Sequence, residues 1–327
     1  MINIPHIDGK IWNPEIILID ILYSLQTSGQ AYITMDGEGS DIAALGLYDL
    51  LDTICDKWKF DPENITIVTN NQLEHHARYN IRKMPPLYVD TGQKFVQQNH
   101  LPEKQWHDIK HFGLFVSRSS WQRLWMASHI HKHYKDIAHL TYHYKPGDDY
   151  HRTHLGMDEL IYHIGVDQDV KDFLSVLPIK NAIIDTYPIC TPAHWGISKV
   201  YPNFVVEVVC ETFLSGRSFY PTEKTWRPLL CRTPFIVLGP KNFLSNLRRL
   251  GFRTFSSWWD EGYDEDADLD SGRESVINIQ KTLQRLALLN KQDLRKMYED
   301  MMPTLEHNYH RFMSLSEQDF KTVFGYE

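Results

Sequence analysis

A chain of 327 residues exceeds the ~250 to 300 at which a single hydrophobic core stops growing, so two domains are expected. With 42% hydrophobic and 23% charged residues the composition is that of a globular protein, and no window reaches the ~18 consecutive apolar residues of a bilayer span. A formal net charge of -8 argues against tight, non-specific attraction to nucleic acid, which needs a basic surface, while leaving room for a local basic groove.

The opening stretch "MINIPHIDGKIWNPEIILIDILYSL" sets acids and a proline around a broken apolar run, which does not read as a signal peptide. A cytoplasmic address is the expectation. "QAYITMD", from Gln30 to Asp36, predicts a strand; "GEGSDIAALGLYDLLDTICDKWKF" opens with glycines and becomes helical, with Ile42, Leu45, Tyr48, Leu51 and Ile54 or Cys55 on one face. "NITIVTNN" (Asn64 to Asn71) predicts the next strand and completes a parallel crossover. "HFGLFVSR" (His111 to Arg118) is a third strand, "SWQRLWMASHIHKHY" a helix, and "IAHLTYHY" a fourth strand. From Gly147 to about Val176 the chain is polar and rich in Asp and His, with "MDELIYHI" as a helix inside it. That stretch marks the domain boundary, giving an amino-terminal domain over 1–165 and a carboxyl-terminal domain over 166–327.

Beyond the boundary the alternation resumes with "NFVVEVVCE" as strand, "TEKTWRPLLC" as helix and "PFIVLG" as buried strand. "NFLSNLRRLG" follows as a helix stopped by Gly251, then "RTF" as a short strand. Two helices close the chain, one with Val276, Ile279, Leu283 and Leu286 at helical spacing, the other with Leu294, Met297 or Tyr298, and Met301. The fold class is α/β, two Rossmann-like domains facing a cleft, where the carboxyl ends of parallel strands gather ligands. No glycine-rich dinucleotide or P-loop fingerprint is present, and "DGEG" falls short of one. Four cysteines without a CxxC pair read as reduced core thiols.

The chemistry concentrates in "FYPTEKTWRPLLCRTPFIVLG". Thr222 suits an N-cap, and a helix starting there presents free backbone N–H groups to an anion. Lys224 in the first turn can reach a diphosphate, the Glu223 carboxylate can accept from ribose hydroxyls, and Tyr220 offers a flat face for a base. Pro228 opposes a regular first turn, because it removes a hydrogen bond and crowds the Lys224 carbonyl.

These residues resemble a family. "FVVEVVCETFLSGRSFYPTEKTWRPLLCRTPFIVLG" is similar to the donor-binding segment of fucosyltransferase-like glycosyltransferases, in which a strand ending in an acid leads to an aromatic, Thr-Glu-Lys, a helix, and a strand running into glycine. A looser likeness to viral and bacterial glycosyltransferase-like proteins continues through "FLSNLRRLGFRTFSSWWDEGYDED". The resemblance implies a GT-B enzyme in which Tyr220 stacks on the base, Glu223 holds the ribose, Lys224 meets the diphosphate and Glu211 ends the donor-side strand. A basic residue from "FVSRSSWQRLW" would also meet the diphosphate; of Arg118 and Arg123, Arg118 follows directly from the predicted strand. The amino-terminal half shows no such likeness, so neither the sugar nor the acceptor is inherited.

The expected activity is inverting, metal-independent transfer of a sugar from a nucleotide-diphosphate sugar to an acceptor hydroxyl, with no cofactor and no metal ligand. Its general base is Glu38, set between two glycines past a strand end, rather than Asp36 or Asp41. Three alternatives stand beside it. One is a DNA-modifying glycosyltransferase using a patch of Lys241, Arg248, Arg249 and Arg253. The second is a metal-dependent hydrolase built on the histidines of His129 to His154, disfavoured because there is no HExxH and because His129, His131 and His133 alternate around a helix. The third is a sugar-nucleotide binding module without turnover.

Overall fold

Alternating apolar residues give the first three strands of the amino-terminal sheet a single inward face: Ile2 and Ile4, then Ala31, Ile33 and Met35, then Ile65 and Ile67. In the computed structural model, which describes residues 1–4, 6–7, 10–11, 13–35, 39–86, 88–101, 103–117, 119–143, 162, 165, 167–180, 195–214, 216–265 and 272–325, these residues stand on β1 (Ile2–Ile4), β4 (Ala31–Met35) and β5 (Ile65–Thr69). With β6 (Asn80–Lys83) they form a parallel sheet in the order β1-β4-β5-β6; β2 (His6–Ile7) and β3 (Lys10–Ile11) pair separately as an antiparallel ribbon.

Because the order is monotonic, right-handed crossovers place the connecting helices on one face. Accordingly α1 (Pro14–Ser28) and α2 (Leu47–Trp58) share one core with the strands, through Ile17, Ile21 and Leu25, and Leu47, Leu51 and Ile54. The predicted helix after Gly39 starts late, at Leu47. Residues 41 to 46 turn instead, with Asp41 accepting from the Ala44 amide and Gly46 at φ 73°, a left-handed conformation that favours glycine.

The second unit is built on another parallel sheet, of β7 (Lys110–Val116), β8 (Ala138–Tyr142), β9 (Phe204–Cys210) and β10 (Phe235–Leu238), in the order β10-β9-β7-β8. Its helices are α3 (Val89–Gln98), α4 (Trp121–Tyr134), α5 (Gln168–Ser175), α6 (Glu223–Leu230), α7 (Phe243–Arg249), α8 (Gly262–Glu265), α9 (Arg273–Leu286) and α10 (Lys291–Met313). α4 packs with α5 and α9, whereas α6 packs with α3 and α10. The last helix, α11 (Glu317–Phe324), belongs to the first unit.

The units comprise Met1–Pro86, Gly216–Tyr220 and Ser316–Glu327, and Leu87–Ser215 with Pro221–Leu315. The 165/166 boundary expected from composition falls inside the second unit. The reason is pairing: β7 bonds directly to β9, Phe112 opposite Val206, so strands from both sides of residue 165 share one sheet. α5, within the stretch read as a linker, is tied to α4 by Lys132 and Asp169 at 2.6 Å and by His131 against Phe173. "RTF" forms no strand, and Arg253 and Asn308 exchange two 2.8 Å hydrogen bonds there instead. The predicted helix "MDELIYHI" lies largely outside the described residues.

The β7 to β9 contact is close enough to test. A Cβ on Gly113 would meet the buried Phe204 ring at 2.7 Å. Gly113→Ala should cost about 1 to 3 kcal/mol by overpacking, read as a lower urea midpoint with unchanged slope.

Candidate functional site at the switch point of the second sheet

In the second sheet the chain steps from β7 outward to β8, returns across β7 to β9, and then steps the other way to β10. The direction reverses between β7 and β9. Connections leaving these two strands go to opposite faces, and such a switch point leaves a crevice at the strands' carboxyl ends, the usual ligand position of open α/β sheets. Two helices begin there, α4 after β7 and α6 after β9.

α6 starts where the sequence predicts. Thr222 is extended at φ -96° and ψ -176°, and its hydroxyl accepts from the Lys224 amide at 3.3 Å. The helix then runs regularly from Glu223 through Pro228, so the loose first turn that the proline suggested is absent; Pro228 simply has no N–H to offer the Lys224 carbonyl.

Glu211, the first residue after β9, is 1% exposed and saturated. Its Oε1 accepts from the Thr222 amide at 3.1 Å and from the Thr225 hydroxyl; its Oε2 accepts from the Thr222 hydroxyl at 2.7 Å and the Thr212 amide at 3.3 Å. Burial raises its pKa above the ordinary carboxylate value, against the opposing pull of Lys224 and the two threonine hydroxyls. Four donors on one carboxylate make it the pin that joins strand end to helix start.

Lys224 lies over that pin. Its Nζ donates to Thr222 Oγ1 at 3.1 Å and Thr212 Oγ1 at 3.3 Å, and stands 3.1 Å from Glu223 Oε1. Glu223 is buried, which alone would raise its pKa, but the Lys224 ammonium and Arg227 guanidinium outweigh burial and hold it below the ordinary value. Glu223 is therefore an ionised carboxylate with acceptor capacity to spare, and Lys224 a cation beside it. The free N–H groups expected of the helix start are already spent, the Lys224 amide on the Thr222 hydroxyl and those of Thr225 and Trp226 on the Thr222 carbonyl.

Arg123, the basic residue passed over for Arg118, sits in the first turn of α4 and donates from Nη2 to the carbonyls of Cys210, at 3.4 Å, and Glu211. Arg118 lies outside the described residues, as do Glu38 and Asp36. Tyr220 belongs to the first unit, whereas Glu211, Thr222, Glu223 and Lys224 belong to the second. Tyr220 is 4% exposed and so close to Gly39 that a Cβ there would lie 2.2 Å from its own. The segment carrying it is bound to the first unit by Asn71, which donates to the Arg217 carbonyl at 2.9 Å and accepts from the Phe219 amide at 3.0 Å.

Four residues escaped the sequence reading: Arg227, Glu207, Tyr201 and Glu74. Beneath Glu223, Arg227 of α6 faces Glu207 of β9, with Nη2 to Oε1 at 3.8 Å, and Tyr201 donates its hydroxyl to Glu207. An acid in the middle of "FVVEVVC" was the available signal, since an apolar strand tolerates one only with a buried partner. In the first unit, Glu74 follows β5 in "NNQLEHH" and accepts from the Tyr48 hydroxyl at 2.7 Å and the Asn71 amide group at 3.3 Å.

His129 and His133, one helical turn apart, face the same side of α4 with ring centroids 4.7 Å apart; only His131 points elsewhere, onto Phe173. Among the described residues no three His, Cys, Asp or Glu side chains gather as metal ligands, and His151 and His154 lie outside them. No helix is long and apolar enough to cross a membrane among the described residues. The sequence matches no protein-family model, and no curated protein matches it.

Proposed function

We propose that this protein is a glycosyltransferase of the GT-B type that takes its sugar from a nucleotide-diphosphate donor. The observation that carries the reading is the first turn of α6 at the β7/β9 switch point, where a capped helix start, the Lys224 ammonium and the ionised Glu223 carboxylate stand together. Breaking a sugar–phosphate bond builds charge on the departing diphosphate, and a fixed cation stabilises it where it forms. Lys224 supplies the charge and Glu223 accepts from ribose hydroxyls. Glu211 holds the two in place without itself touching the donor, because its lone pairs are already used. The acceptor's proton goes to Glu38, the base assigned by sequence, and direct displacement inverts the anomeric centre.

A thermal-shift panel of nucleotide sugars tests this. A true donor at ~100 times its dissociation constant should add ~2.7 kcal/mol of stability, and with an acceptor should release nucleoside diphosphate, in EDTA as well as without it. A panel in which no nucleotide sugar shifts the melting temperature would end the reading.

A further inference from the structure

The buried Arg227 is 4% exposed, and its Nε–H has no acceptor. It lies one turn from Glu223 on the same side of α6 and 3.8 Å from Glu207, so one guanidinium stands within electrostatic reach of two carboxylates, one in the floor and one in the rim, with the Tyr201 hydroxyl beside it. A buried guanidinium short of acceptors will turn toward whichever carboxylate is charged. Resting on the donor-site reading above, we infer that Arg227 is the positioning residue for Glu223, and that Glu207 decides how much of Arg227's attraction Glu223 feels. With Glu207 ionised, Arg227 is drawn toward the floor and Glu223 keeps lone pairs for ribose. With Glu207 neutral, Arg227 turns to Glu223 and competes with the ribose for it.

The charged and titratable groups facing Glu207 are Arg227 from α6, Tyr201 from the 3-10 turn before β9, Lys104 from the loop before β7, Glu211 just past the end of its own strand, and the thiols of Cys210 on β9 and Cys231 at the end of α6, both pushed up by burial and neutral across the range tested. Burial pushes Glu207 up to about 7, opposed by Arg227, Tyr201 and Lys104. Glu207 therefore takes up a proton as pH falls from 8 to 6, while Glu223, held below its ordinary value, stays ionised across that range. Lys104, itself lowered to about 7 by burial, gains charge on the same descent. Its effect is to keep Glu207 ionised, opposite in sign to the change sought.

The test uses calorimetry with GDP and UDP and with their 2′,3′-dideoxy counterparts. The ratio of dissociation constants, dideoxy over parent, reports the ribose contact and cancels everything the two share, phosphate ionisation included. The unaltered protein at pH 8 should show a ratio of about 10 to 100, the scale of hydrogen bonds to a charged acceptor. It should fall to within about threefold of unity at pH 6, and Glu207→Gln should be near unity at both. Should Glu207→Gln fail to fold, the pH series of the unaltered protein decides alone. If neither nucleotide binds at pH 8, the donor-site reading fails and takes this inference with it. If one binds but its ratio is unmoved by acid, or persists in Glu207→Gln, the role of Arg227 and Glu207 fails while the donor site stands.

Discussion

Lys224→Ala should leave a folded protein whose sugar transfer is reduced by roughly 10² to 10³, the cost of losing one fixed stabiliser of developing charge. The geometry limits the structural side of the change. The ammonium sits at the surface of the site and its partners are two hydroxyls and Glu223. One of those hydroxyls, on Thr222, keeps its bond to Glu211 at 2.7 Å, and Glu223 keeps the nearby Arg227 charge. The loss should also be selective. Affinity for a nucleoside diphosphate should drop while affinity for the bare nucleoside holds, because only the former presents the charge Lys224 meets. Lys224→Arg should recover part of the activity, since the charge returns on a longer, planar head that cannot reproduce the three contacts of an ammonium. Turnover near that of the unaltered protein in Lys224→Ala would move the diphosphate partner elsewhere, with Arg123 at the start of α4 the next to test.

The elements that sequence reading located were those with a strong period or a continuous apolar run. β7, β9 and β10 are buried along nearly their whole length, and such runs between turn residues leave little choice but parallel strand. α9 was legible for the same reason, its buried Val276, Ile279, Leu283 and Leu286 keeping the helical interval. α1 was not, because its apolar residues surround the helix instead of keeping to one stripe: Ile16, Ile19 and Tyr23 are exposed while Ile17, Ile21 and Leu25 are buried. The domain boundary was misplaced because composition reports solvent exposure and not strand pairing; nothing local in "KHFGLFV" says that its neighbour will be "FVVEVVC". The same limit governs the site. Thr222 as a cap and Lys224 in a first turn are local facts and could be read. That Glu211 spends all its lone pairs on Thr212, Thr222 and Thr225, and that Arg227 sits between two carboxylates, depends on β9 lying against α6, which no short-range pattern encodes.

Glu211→Ala should be among the most destabilising single changes in the second unit, by about 3 to 5 kcal/mol, the scale of removing one partner from a buried charged network. The carboxylate accepts from two backbone amides and two hydroxyls, and three of these four donors, those of Thr222 and Thr225, are buried as deeply as Glu211 itself and are left without a partner when it is lost; the Thr212 amide is only half-buried. Each unsatisfied buried donor costs about 1 to 3 kcal/mol, less whatever relaxation recovers. Glu211→Gln tests the arithmetic. Its amide keeps one oxygen of the same reach but turns the other into a donor aimed at donors, so its cost should be well over half that of alanine. Urea unfolding followed by tryptophan fluorescence reports mainly this unit, since of the nine tryptophans only Trp12 and Trp58 fall in the first. The outcome also separates two roles for Glu211. A lowered midpoint in both variants marks a pin whose loss reaches activity only through the fold. Full stability with lost donor binding would instead make Glu211 a direct ligand, and the division of labour between Glu211 and Glu223 would have to be reversed.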